Sequence, residues 1–142
     1  MIRIIILMFA VFGAACGTFN VTEQPVSETT VANEGYDTVA YFAADKALKG
    51  NPEFSFVFKG AKWIFSSREN LEKFRVEPEK YIPQFGSHCP VSLASGAKEK
   101  GDPSVWTVVN DKLYFFYSEG HKKEFERDRE RVLSKAMEKH KP

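Results

Sequence analysis

A pattern that occurs twice narrows what this chain can fold into more than any other feature. FSFVFKGAKWIFSSRENLEKF at residues 54–74 and WTVVNDKLYFFYSEGHKKEF at residues 106–125 follow one plan. Each runs strand, two-residue turn, aromatic strand, serine cap and a helix ending in Phe. In the first copy Phe54, Phe56 and Phe58 alternate with Ser55 and Val57, the period of a strand with one face buried. Lys59-Gly60 reverses the chain, and Trp63 and Phe65 return on a common face. In the second copy VWTVV at 105–109 and LYFFY at 113–117 flank the turn pair Asn110-Asp111. Strands therefore come in pairs rather than alternating singly with helices, which argues against a doubly wound parallel sheet. The expected fold is a small single α+β domain with two antiparallel β-hairpin–helix units. Trp63 and Trp106 are expected in equivalent central strands, largely buried in one shared core.

The remaining segments read as follows. YDTVAYF at 36–42 is rich in β-branched and aromatic residues and suggests a first strand or extended segment. Ser66 followed by Glu69 fits a capping box, and Pro78 opens a short further turn of helix. QFGSHCP at 84–90 is a glycine-centred junction, from which Ser87 is expected to cap a helix stopped by Gly96. Ser118 caps a final helical stretch over 119–140, read either as one helix or as two meeting at a bend. Phe115 and Tyr117 are expected either beneath that stretch or exposed as a binding patch.

The start of the chain is set apart from this pattern. Arg3, the apolar run at 4–12 and the small residues Gly13, Ala14 and Ala15 form a signal peptide over 1–15, directly before Cys16. The run is too short to span a bilayer as a helix. Cys16 is the expected lipidation site, with a soluble secreted form as the alternative. Residues 16–34 are read as a flexible tether and 35–142 as the folded domain. Export to the periplasm or cell envelope follows, with a membrane partner engaged through lipid at Cys16. Lys and Arg number 20 against 19 Asp and Glu, so the basic excess of a non-specific nucleic-acid binder is missing.

GYDTVAYF at 35–42, KGNPEF at 49–54, the stretch 60–89 and KGDPSVWTVVNDKLYFFY at 100–117 together resemble the YHS-domain family in its exported bacterial branch. The resemblance implies a small, mainly non-enzymatic binding module, often regarded as metal-binding. Metal-binding relatives place cysteines in the segments matching DTVA and FSSREN, where this chain has Ala40, Ser66 and Asn70. None of the three is a strong soft-metal ligand. The exported branch instead keeps a Gly-x-x-Cys junction, present as Gly86-Ser87-His88-Cys89.

Chemistry is therefore expected at Cys89 and His88. Because adjacent side chains diverge on a helix, further ligands must come from elsewhere, with His121, Asp37 and His140 as the candidates. A thiol with imidazole or carboxylate help suits copper or zinc better than magnesium. Two other readings stay open: a thiol-dependent redox accessory or enzyme centred on Cys89, and a structural or protein-interaction domain. The sequence has no His-Glu-x-x-His, Cys-x-x-Cys, Gly-x-Ser-x-Gly or phosphate loop. Asp37, Asp102 and Asp111 sit in turn-like contexts where capping is the ordinary role, and Glu77 and Glu79 flank a proline at a helix end. Replacing Cys16 with Ser is expected to move the protein from the membrane fraction to the soluble one. An intact mass showing cleavage elsewhere without an acyl group would contradict the lipid anchor.

Overall fold

The computed structural model describes residues 30–140. The signal segment, Cys16 and most of the tether lie outside them. Two antiparallel hairpins carry the fold: β1 (Asn51–Phe58) with β2 (Ala61–Phe65), and β3 (Asp102–Val109) with β4 (Lys112–Phe116). Both turn pairs have φ near +50° or above (Lys59 and Gly60, Asn110 and Asp111), as a two-residue reversal between right-twisted strands requires. The short helices α1 (Ala40–Ala43), α3 (Pro78–Tyr81) and α4 (Pro90–Ser95) and the longer α2 (Arg68–Val76), α5 (Glu119–Arg127) and α6 (Arg129–Lys139) complete the chain. None of the described helices is long and apolar enough to cross a membrane.

The repeat extends further than the hairpins. β1, β2 and α2 recur as β3, β4 and α5 at a constant spacing of 51 residues. Upstream, a 3₁₀ turn at Ala32–Gly35 recurs at Gln84–Ser87, each with a run of left-handed residues. Tyr36 then bridges Lys49 just as His88 bridges Lys100. Asp37 N–H donates to Leu48 O and Cys89 N–H to Glu99 O, at 2.8 and 2.9 Å. Even the tight crossings match. A Cβ on Gly50 would lie 2.5 Å from Ile64, and one on Gly101 would lie 2.5 Å from Phe115, so only glycine fits at either.

Several local expectations shift by a residue or change type. The segment 36–42 is not a strand, because the Asp37 carboxylate accepts from the Val39 and Ala40 N–H groups and starts α1 instead. Ser67, not Ser66, is the N-cap of α2 and accepts from Asn70 N–H at 3.1 Å. Ser87 closes the 3₁₀ turn at φ 69°, leaving Cys89 at the N-cap position of α4 and Pro90 in its first turn. Gly96, at φ 92°, ends that helix as expected. The final stretch is two helices, separated at Asp128, which leaves helical geometry and caps α6 through Arg131 N–H.

The core differs from a single shared one. One cluster gathers Phe65, Leu71, Phe74 and Tyr81 in the first unit, and a second gathers Cys89, Val91, Tyr114, Phe116, Phe125 and Val132 in the other. A third, built on Tyr41, Leu113 and Phe115, joins the units. β4 is consequently buried on both faces, which explains its unbroken apolar sequence. Tyr41 from α1 seals this joint: its ring packs edge-on against Trp106 and Phe115, and its hydroxyl donates to Pro103 O at 2.8 Å. Burial pushes its phenol well above the usual tyrosine range. Trp63 and Trp106 are only half-buried and belong to different clusters. They sit on non-equivalent strands, β2 and β3, which is why the shared-core expectation fails for them. Phe115 lies beneath Tyr41 rather than beneath the last helices, and Tyr117 is 56% exposed.

Candidate functional site

In each unit a side chain just after the 3₁₀ turn meets the first turn of the helix that follows the hairpin. In the first unit this residue is Asp37, fully buried. Its Oδ1 accepts from Val39 and Ala40 N–H, and its Oδ2 accepts from Ser66 N–H (2.8 Å), Ser66 Oγ (2.6 Å) and Asn70 Nδ2 (2.7 Å). Five donors surround one carboxylate, so its charge is fully engaged by the protein. Ala40, Ser66 and Asn70, the positions where the resemblance implies cysteines in metal-binding relatives, converge here on a carboxylate. This junction is structural, and Asp37 has no contact with Cys89, His88 or His121 among its hydrogen bonds.

In the second unit the equivalent of Asp37 is Cys89 and the equivalent of Asn70 is His121. Cys89 is a free thiol with 0% exposure, held at the start of α4 by its backbone bond to Glu99 and by packing in the second cluster. His121 sits in the first turn of α5, which Ser118 caps from its hydroxyl at 3.3 Å. Cys89 Sγ and His121 Nδ1 lie 3.4 Å apart. The same nitrogen is 3.4 Å from Ser92 Oγ, which in turn donates to Glu99 Oε2 at 2.6 Å. The structure thus brings together two of the residues singled out from the sequence. His88 turns away, its Nδ1 3.0 Å from Phe85 O. His140, at the end of α6, packs edge-on against Phe85.

Access differs between the two partners of the pair. A hollow of about 300 Å³ between α4, α5 and α6 reaches His121 and is rimmed by Glu124, Arg131 and Lys135. The imidazole lines this hollow and the fully buried sulfur lies behind it. Tyr117 packs its exposed ring beside His121, with centroids 5.7 Å apart. Ser92 and Glu99 escaped the sequence reading. Their signal was present only as the residues replacing Ala40 and Leu48 when the two units are laid in register.

The model of the YHS-domain family matches residues 39–85. The match covers α1, the first hairpin, α2, α3 and the first two residues of the second 3₁₀ turn, and stops short of Cys89. It supports the YHS resemblance over the first unit. No curated protein and no solved structure gives a significant match to the chain.

If the Asp37 junction orders the first unit, Asp37→Ala should be severe, because five donors lose one acceptor together. Chemical denaturation is expected to show a loss of about 3 kcal/mol or more. A loss below about 1 kcal/mol would mean that the junction forms without its carboxylate.

Proposed function

We propose that this chain is an exported, non-enzymatic binding module of YHS type that holds a soft transition ion, copper or zinc, between Cys89 and His121. The observation that carries this reading is the 3.4 Å separation of Sγ and Nδ1. Two ligands at ordinary zinc–sulfur and zinc–nitrogen lengths, set at a tetrahedral angle, lie about 3.5 Å apart. The donor types also agree, since thiolate and imidazole are the pair that soft and borderline ions prefer. The repeat adds weight: the first unit satisfies the same junction with Asp37 and Asn70, so the fold does not itself demand a thiol and an imidazole there.

Burial of the sulfur favours this reading over thiol-based redox or nucleophilic chemistry. A fully covered thiol gives a bulky electrophile or disulfide no line of attack, whereas a small ion would have only His121, which lines the hollow, to displace. Two protein ligands make an exchangeable site, in contrast to a closed structural zinc centre. Among the described residues no three His, Cys, Asp or Glu side chains are already grouped around one point. Tethering through lipid at Cys16 would keep the module at the membrane surface of the envelope.

Zinc and copper(I), titrated separately into the reduced full-length protein under anaerobic conditions, test this. About one ion per chain is expected, bound to a protein that is equally folded without it. Cys89→Ser and His121→Ala should each weaken binding at least about tenfold while leaving the circular dichroism unchanged. Retention of no more metal by the wild type than by Cys89→Ser would overturn the reading.

A further inference from the structure

The two 3₁₀ turns carry different residues beside the inner strand of their hairpins. Laid in register, Trp63 of β2 stands where Tyr114 stands in β4, and Asn33 stands where Phe85 stands. In the second unit Phe85 sets its ring beside Tyr114, with centroids 6.3 Å apart, and Tyr114 is buried. In the first unit a short amide replaces that ring, and Trp63 is left half-buried. Backbone geometry does not select the amide, since Asn33 and Phe85 take nearly the same left-handed φ, 51° and 55°. Hydrogen bonding does not select it either. Its buried Oδ1 has no partner among the described residues, and its Nδ2 reaches Tyr36 O at 3.4 Å. An amide unmet at one end carries a cost that a phenyl ring would not.

What accompanies the exchange is a hollow of about 510 Å³ between the entries to the two turns, a size within the range of small-molecule sites. Asn33 and Trp63 both line it, and Val31, Ile82 and Pro83 add apolar wall. The indole N–H of Trp63 is committed to Phe58 O at 3.1 Å, so the ring meets the hollow as apolar surface. Among the described residues the charged lining is cationic throughout, from Lys59 and Lys100. Each lysine has a carboxylate partner, Glu79 at 2.7 Å and Glu34 at 3.0 Å, but neither glutamate lines the hollow. Such solvent-exposed pairs are weak, so either ammonium can turn to an anion at small cost. We infer that this hollow binds a small aromatic anion. Its ring takes beside Trp63 the place that Phe85 takes beside Tyr114, and its acidic group meets Lys59 and Lys100. Ring against indole supplies the contact that the first unit lacks. The hollow shares no lining residue with the one at His121, and the inference does not rest on the ion reading.

Two fluorescent probes that differ by one acidic group test this on the full-length protein: anilinonaphthalene sulfonate and its uncharged counterpart, phenylnaphthylamine. About one sulfonate probe per chain is expected to bind. In Trp106→Phe, where Trp63 is the sole tryptophan, the bound probe should quench the indole emission. Asn33→Phe copies the second unit and should fold, while weakening both probes at least about tenfold by filling the hollow. Lys59→Met combined with Lys100→Met should weaken the sulfonate at least about threefold and the uncharged probe less than about twofold. Cys89→Ser should bind both probes as the wild type does. Sulfonate bound undiminished by a folded Asn33→Phe, or bound without quenching Trp63, would overturn the site. Equal loss of the two probes in the double lysine variant would overturn the anion. Should Asn33→Phe fail to fold, the quenching of Trp63 and the lysine variant decide between the same outcomes. No sulfonate bound by the wild type would overturn the inference outright.

Discussion

The buried carboxylate of Asp37 is the interaction on which the arrangement of the first unit depends. It collects backbone donors from the start of α1, the backbone and hydroxyl donors of Ser66 just after β2, and a side-chain donor from Asn70 in the first turn of α2. Three segments distant in sequence are thereby fixed at one point. Breaking one partner of such a knot exposes the others to the full cost of burial without hydrogen bonds, so the elements are ordered together or not at all. With α2 fixed, Phe74 is placed where Phe56, Phe58, Trp63 and Phe65 pack around it.

The second unit uses the same framework with a different chemistry at its centre. Its knot is a thiol and an imidazole, linked at 3.4 Å and flanked by a hydroxyl and a carboxylate. Packing therefore does more of the work here. β4 is covered on one face by Phe125 and Val132 and on the other by Tyr41, which also secures the joint between the units. Because hydrophobic burial holds this unit, its polar centre is released from structural duty. That division explains how one fold, repeated, carries a closed junction in one copy and a candidate ion site in the other.

Much of this was legible in the residues. The hairpins, their turn pairs, the Ser118 cap, the Gly96 stop and the repeat itself follow from local patterns with short physical range. Misreadings arose where a single side chain outweighed local composition. The β-rich segment 36–42 became helical because Asp37 caps it, and Ser66 was withdrawn from the α2 cap because its hydroxyl is committed to Asp37. Trp63 and Trp106 resemble one another in sequence context yet stand on different strands of their hairpins. Cys89 and His121 were nameable as candidates, but their meeting depends on tertiary register. Ser92 and Glu99 were invisible for a related reason. The loop from Asp37 to Leu48 is one residue longer than that from Cys89 to Glu99, so the copies fall out of step until the backbone bonds align them.

The claim that Cys89 and His121 form an ion site is tested most directly by the optical spectrum of cobalt(II) added to the reduced full-length protein. Cobalt(II) occupies zinc-type sites and reports its ligands by colour. The expected result is a near-ultraviolet thiolate-to-cobalt charge-transfer band with the visible absorption of a four-coordinate ion, both lost in Cys89→Ser. A spectrum indistinguishable from hydrated cobalt(II), in protein whose Cys89 is confirmed to be a free thiol, would contradict it.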